Sequence, residues 1–349
     1  MSFLSEEEKG FLSINRMIFH VVGNKLEEPI LLEEISPPQH ADFFLERVKS
    51  ALRGNLFEFR QRSDVEKMIR SIVNDGQGFS EKTKELAVEF QKQHSSTTSM
   101  GVFFVFELSV GGDLPIYALI KYDNEDVVRY ILQGGDLPQV PTLERFQETF
   151  VRKPEALQKI ALVRLADAGG GRIMVRDRSN TAHISDYFER FLQARRINSP
   201  DEMSGKLVEA FKDTFKQHRS SLPNDVQRNG VNRIYEVMRQ GGHRFDPDNF
   251  EPLLTAIFGQ VSEDAPLRRT LSRNLRNHGV SEETFDINPD RIQKPRRRRM
   301  DTEEGTQIFY DEGNRPTIRD LSDGRQEVLI TTARVTSDDV DIQKRPRSG

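Results

Sequence analysis

The sequence predicts an α+β protein: an antiparallel sheet with flanking helices, a helical middle region, and a small basic C-terminal part with short strands. Three observations carry this reading. Between Val102 and Val110 aromatic and β-branched residues alternate in a dense apolar stretch, the pattern of a mostly buried strand. From Ser199 to Phe258 the apolar residues recur at helical spacing instead. From Leu267 onward arginines gather, and short β-like runs follow them.

Taken in order, Phe11 to Val22 is a short apolar run that fits either an entry strand or a buried helical turn. After Pro37-Pro38, the spacing of Ala41, Phe44, Leu45, Val48 and Leu52 predicts a helix. Ser63-Asp64-Val65-Glu66 has the form of a capping box for the next helix, which Gly76 and Gly78 end. Ser80 is the expected cap of a third helix running to about His94. A polar linker, His94 to Ser99, then delivers the chain to the strand at 100–110. Gly111-Gly112-Asp113 can turn it into a second strand, Leu114 to Tyr122, because glycine reaches positive φ without a Cβ clash.

Asn124-Glu125-Asp126 looks like a helix start closed by Gly134-Gly135, and 138–154 fits no single element. Leu157 to Ala166 and Arg172 to Arg176 form a second expected hairpin around Gly169 to Gly171. Ile184, Tyr187, Phe188, Phe191 and Leu192 stripe a helix whose carboxyl end Arg195 and Arg196 would complement. Ser199-Pro200-Asp201-Glu202 combines a cap, a first-turn proline and a capping-box glutamate. Helices are expected from there, over Asn224 to Gln240, and over Asp248 to Phe258 with Asp246 as cap. The expected domains are 1–196, built on the 100–122 hairpin; 197–262, helical; 263–335, basic with short strands; and 336–349, a polar tail whose composition predicts disorder.

With 349 residues and 36% hydrophobic content the chain can bury a sizeable core. It has no cysteine, so disulfides and thiolate metal sites are excluded and a cytoplasmic location is expected. No apolar run approaches a membrane span, and MSFLSEEEKG is acidic where a signal peptide is basic, so no membrane contact is expected. The net charge of −4 conceals an asymmetry: residues 1–150 hold 16 Lys+Arg against 24 Asp+Glu, and the remainder holds 35 against 31. From 267 to 299 there are ten basic residues and four acidic ones.

That basic stretch supplies the candidate site. Leu267, Leu271 and Leu275 define one side of a helix, and Arg269, Arg273 and Arg276 fall on the other. Lys294, Arg296, Arg297, Arg298 and Arg299 follow. Guanidinium forks match phosphate oxygens, and counterion release from nucleic acid supplies affinity without sequence preference. No Phe or Tyr occurs between Phe285 and Phe309, which argues against base stacking and for duplex DNA.

Catalytic signals are weak. The glycines at 169–171 lack the rest of a phosphate-loop motif and read as a plain turn, and none of the seven histidines pairs at a metal-ligand spacing. Asp246 to Asn249 lacks the central glycine and terminal glutamate of a calcium loop. Glu107, Asp113 and Lys121 are the only set a metal-dependent nuclease could draw on. No catalytic residue, metal or cofactor is therefore assigned.

The stretches INRMIFHVVG, GVFFVFELSV with YALIKYD, KIALVRL, HISDYFERFLQARR and KLVEAFKDTFKQH, followed by a basic run and a β-like tail, occur in an order that resembles the bacterial nucleoid-associated protein family of about 37 kilodaltons. The resemblance implies a cytoplasmic protein of the nucleoid, associated with chromosomal DNA and without an established enzymatic activity. It transfers no site residues. The expected function is binding of double-stranded DNA, mainly through phosphates and with low sequence specificity. The alternatives are a metal-dependent nuclease or other nucleic-acid-processing enzyme, and a scaffold that tethers a partner from the DNA-processing machinery. Two weak sites on one duplex gain avidity, which favours a homodimer.

Overall fold

A computed structural model of the chain describes residues 3–35, 41–49, 52–75, 78–112, 114–123 and 157–338. The helix expected after Asn124, the unassigned 138–154 and Asp113 lie outside the described residues. The chain divides into two compact units, Met1–Ile292 and Gln293–Gly349.

The first unit is built on a seven-stranded antiparallel sheet, and the fold is α+β as the sequence predicts. A short helix α1 (Glu6–Gly10) leads to β1 (Ser13–Val22), so the Phe11 to Val22 run resolves as a strand. Next come α2 (Ala41–Lys49), β2 (Asn55–Phe59), α3 (Asp64–Asn74), α4 (Phe79–Gln91), β3 (Gly101–Ser109) and β4 (Ile116–Tyr122). Strands β5 (Leu157–Leu165) and β6 (Gly171–Asp177) follow, then α5 (Asp186–Leu192) and β7 (Ala194–Arg196). The order across the sheet is β1-β3-β4-β5-β6-β2-β7.

Both faces of this sheet are covered, which explains why β3 and β4 are almost wholly apolar. Phe104, Phe106 and Leu108 face a core with Phe3, Leu4, Phe44 and Val48, whereas Phe103 and Val105 face one with Phe79, Phe90, Phe188 and Phe191. The second face is dense in aromatic contacts: Phe90 lies 4.9 Å from Phe103 and 4.5 Å from Phe191 between ring centroids. Truncating such a ring to alanine costs about 3–5 kcal/mol. At Gly101 a Cβ would meet the Tyr122 carbonyl oxygen at 2.5 Å, so the mouth of the β3–β4 hairpin requires glycine.

Several local expectations are revised. Strand β2 escaped the sequence reading because NLFEF is short and lies between helical patterns, yet it pairs with both β6 and β7. Ser80 is not the cap of α4; Gly78 occupies that position, and buried Phe79 opens the helix. Arg195 and Arg196 belong to β7 rather than to a helix end, because Gln193 takes φ 50° and terminates α5. The Ser63 box is half formed. Its hydroxyl accepts from the Glu66 amide at 3.2 Å, but the Glu66 carboxylate turns to the Gly170 amide at 2.6 Å and to Arg70 at 3.0 Å. A carboxylate thus takes the Gly170 amide, as a plain turn allows and a phosphate loop would not.

A third core, from Met203 to Ile292, completes the unit. It is formed by α6 (Pro200–His218), α7 (Asn224–Arg239), α8 (Glu251–Phe258) and α9 (Pro266–Asn277), with β8 (Arg244–Phe245) and β9 (Phe285–Asp286) as a small ribbon. The Ser199 capping box forms in both directions, at 3.2 and 3.4 Å. Helix α8 starts later than the expected Asp248: the Asp246 carboxylate accepts from the Asp248 amide in a turn, and Phe250 stands at the cap. Helices α6 and α7 approach closely at Gly230, where a Cβ would lie 2.2 Å from the Phe215 ring.

The helical layer is tied to the sheet by buried polar groups. Glu283, only 2% exposed, accepts from Arg196 at 3.2 Å and Asn198 at 2.6 Å, and Asn55 accepts from the Thr284 amide at 3.0 Å.

Candidate nucleic-acid interface

The arginine ridge stands on α9. Pro266 at the first turn and the apolar triplet Leu267, Leu271 and Leu275, all buried, fix which side faces α6. Asn274 donates to the Thr214 hydroxyl at 2.9 Å and locks the rotation of the helix. Gly279, at φ 72°, ends it, with the Val280 amide bonded back to the Leu275 carbonyl at 2.9 Å. The consequence is that Arg269, Arg273 and Arg276 are all exposed on one helix that carries no acidic residue.

Their immediate partners are few. Arg273 donates to the neutral Gln217 at 2.8 Å. The fourth arginine, Arg268, is instead consumed structurally: it grips Glu251 with two nitrogens at 2.5 and 2.7 Å and caps the Ser262 and Val261 carbonyls. Helical spacing in the sequence already left Arg268 out of the ridge, and burial of the leucines gives the reason, since it rotates Arg268 toward α8 and Arg269 outward.

The arginine run lies in the C-terminal unit, on a strand. Strand β10 (Arg297–Asp301) pairs with β11 (Gln307–Asp311), and β12 (Thr317–Asp320) pairs with β13 (Gln326–Leu329). The pleat divides the run. Arg297, Arg299 and Phe309 occupy the exposed face of the first hairpin, with Arg297 4.8 Å from the Phe309 ring centroid in a cation–π contact. Arg298 turns to the other face. Its side chain is 18% exposed, that of Lys294 is 14% exposed, and both bond Glu312, at 3.0 and 3.1 Å. Arg299 meets Asp301 at 2.9 Å, and Arg296 is exposed. Between 293 and 338 nine Lys+Arg face nine Asp+Glu, so any pull on a polyanion rests on local clustering rather than on net charge.

Of the nuclease candidates, Asp113 lies outside the described residues, and Glu107 and Lys121 do not converge. Glu107 sits opposite Tyr117 and accepts its hydroxyl proton at 3.0 Å, whereas Lys121 sits opposite Phe103, four residues along the strand and so roughly 13 Å away. Among the described residues no group of three or more His, Asp or Glu could hold a metal ion.

Lys121 belongs to a different arrangement, one that the sequence reading missed. It is fully buried at the sheet end, bonded to Asp123 at 2.6 Å and to the Ser99 carbonyl at 2.8 Å, and burial lowers its pKa. Beside it Lys159 bonds Asp177 at 3.0 Å. Asp177 also accepts from the amides and hydroxyls of Ser179 and Ser185. Burial alone would raise its pKa, but those bonds and the Lys159 charge bring it below the ordinary carboxylate value. The arrangement staples the strand ends together. Its only trace in the sequence is a lysine at an inward position of each strand.

A family model described as nucleoid-associated protein YejK matches residues 18–330. The chain belongs to this family. The match takes in the sheet from within β1 onward, the helical layer, α9 and both C-terminal hairpins, so every arginine of the candidate site lies inside it. The nucleoid-associated family's description implies association with DNA and a place at the nucleoid. Comparison with individually curated proteins finds no match. No helix among the described residues is long and apolar enough to cross a membrane.

Proposed function

We propose that this nucleoid-associated protein binds double-stranded DNA mainly through its phosphates and with low sequence preference. The contacts are made by Arg269, Arg273 and Arg276 on α9, and by Lys294 and Arg296 to Arg299 in the C-terminal unit. The observation that carries the reading is the α9 ridge: three exposed guanidinium groups on successive turns of one helix whose side chains include no carboxylate. Such a row offers donors along a phosphate backbone and nothing arranged to read base edges. Within the C-terminal unit Arg296, Arg297 and Arg299 are the ready contacts, and Lys294 and Arg298 join when the phosphate displaces Glu312. A homodimer would place two such surfaces on one duplex.

The test is a salt-titrated binding measurement with random duplex, single-stranded DNA and RNA, scored for nicking with Mg²⁺ or Mn²⁺ in the same samples. A steep linear fall of log K with log salt on duplex of any sequence is expected, losing about 0.9 of slope per phosphate contact removed. Binding that ignores salt, or cleavage abolished by Glu107→Ala, would overturn it.

A further inference from the structure

A second basic site lies in the first unit, built from none of the arginines singled out in the sequence. Lys9 on α1, Lys49 at the end of α2, Arg53 before β2 and Arg176 on β6 line a cavity of about 320 Å³ together with Leu52 and Asp248. Four cations and one carboxylate therefore converge from five separate segments. Clustering like charges is unfavourable unless something neutralises them, and for Lys9 and Lys49 the carboxylates at hand do so loosely. Lys9 is paired with Glu6 at 2.6 Å and Lys49 with Glu46 at 3.2 Å, both partners well exposed and three residues away on the same helix. Pairs of that kind contribute little and exchange readily. Arg53 pairs with Asp248, which lines the cavity itself.

The cavity also adjoins the α9 ridge. Arg276 and Arg53 both lie near enough to Glu6 to act on its carboxyl, whose pKa is lowered first by the hydrogen bond from Lys9 and further by these more distant charges. Glu6 thus lies within reach of Arg276 at the end of the ridge and of Lys9 and Arg53 at the cavity.

We propose that this cavity is a phosphate-binding site, with Lys49, Arg53 and Arg176 supplying the donors and Lys9 closing the rim. On the reading that the protein binds duplex DNA, on which this inference rests for its natural ligand, the site takes a backbone phosphate and extends the α9 contacts onto the sheet. A free phosphorylated small molecule offers the same chemistry, and the experiment separates the two sources.

The full-length protein and its Lys49→Gln/Arg53→Gln variant are titrated with random duplex at several salt concentrations, and their thermal unfolding is followed with and without pyrophosphate. Both replaced side chains are at the surface, and circular dichroism checks the fold; Lys49→Gln alone serves if the double variant does not fold. A backbone-phosphate site predicts that the double variant loses about 1.8 of slope, so that its affinity falls about twelvefold less than that of the wild type over a fourfold rise in salt. Lys49→Gln alone should lose about half that slope. A site for a free phosphorylated ligand predicts an unchanged slope with pyrophosphate raising the unfolding temperature of the wild type and not of the variant. An unchanged slope with no such stabilisation overturns the proposal, as does an equal loss of slope in Lys67→Gln, which removes a lysine from α3 outside the cavity. The variant Arg296→Ala/Arg297→Ala/Arg299→Ala, run in parallel, keeps the two readings apart: slope lost there and not in the cavity variant, with no stabilisation by pyrophosphate, leaves DNA binding standing and removes this site.

Discussion

The pleat of β10 makes the arginine run unequal, and that inequality can be measured. Arg296 and Arg297 are exposed and without a carboxylate partner among the described residues, whereas Arg298 shares Glu312 with Lys294. Each phosphate contact contributes about 0.9 to the salt slope, which at 0.1 M relative to 1 M salt is about 1.2 kcal/mol. A partly exposed ion pair such as Arg298–Glu312 is worth about 0.2–1 kcal/mol. Exchanging that pair for a phosphate therefore leaves Arg298 a small net gain, while Arg297, already positioned over Phe309, keeps nearly the whole amount. Arg296→Ala/Arg297→Ala should lower the slope by about 1.8 and Arg298→Ala by well under 0.9. Glu312→Gln should do the reverse, raising the slope by up to about 1.8 as Lys294 and Arg298 are released. The assay is fluorescence anisotropy on a random duplex between about 50 and 200 mM salt, where a change of 1.8 in slope alters the affinity ratio about twelvefold. If Arg298→Ala flattened the plot as much as Arg297→Ala did, and Glu312→Gln changed nothing, the division of the run by its pleat would be refuted.

Three further outcomes test the fold that holds these groups. Gly230→Ala should destabilise despite alanine's better helix propensity, worth about 1 kcal/mol, because the new Cβ would lie 2.2 Å from the Phe215 ring and that buried ring must move; chemical denaturation should show a net loss of about 1–3 kcal/mol. Glu283→Ala should cost about 3–5 kcal/mol by leaving the half of Arg196 that faces it buried without a counter-charge, and a lowered thermal midpoint reports it. Burial holds His20 at a pKa of about 3 and His94 at about 4, both below their unfolded value, so the unfolded chain takes up protons first as pH falls. Stability should accordingly decline from about pH 6.5 toward pH 4, and His94→Phe, which keeps a ring against Phe90, should remove one proton from that dependence.

What the sequence made legible follows a physical division. The α+β class, the two hairpins of the sheet and the capped helix at Ser199 were readable because each is written in neighbouring residues: alternation for strands, a four-residue box for a cap. Strand β2 was not, because five residues of alternating pattern acquire their identity only from the two strands beside them. The Lys159–Asp177 staple was equally hidden. Nothing local marks a lysine as buried, and its partner is 18 residues away across a turn.

The basic surface shows the same division at the level of function. Arg269 to Arg276 and Arg296 to Arg299 drew attention because they are consecutive or one helical turn apart. Structure weights them differently: Arg268 goes to Glu251 and Arg298 to Glu312, although neither differs from its neighbours as a residue type. The converse case is Lys9, Lys49 and Arg53, scattered through the first 150 residues, which are acidic by count, together with Arg176 from beyond them. Linear charge density measures how many cations a segment has, whereas a phosphate senses how many point at one place. Helix packing and strand pleat decide the second quantity, and they bring three cations of the acidic first 150 residues to one cavity with Arg176.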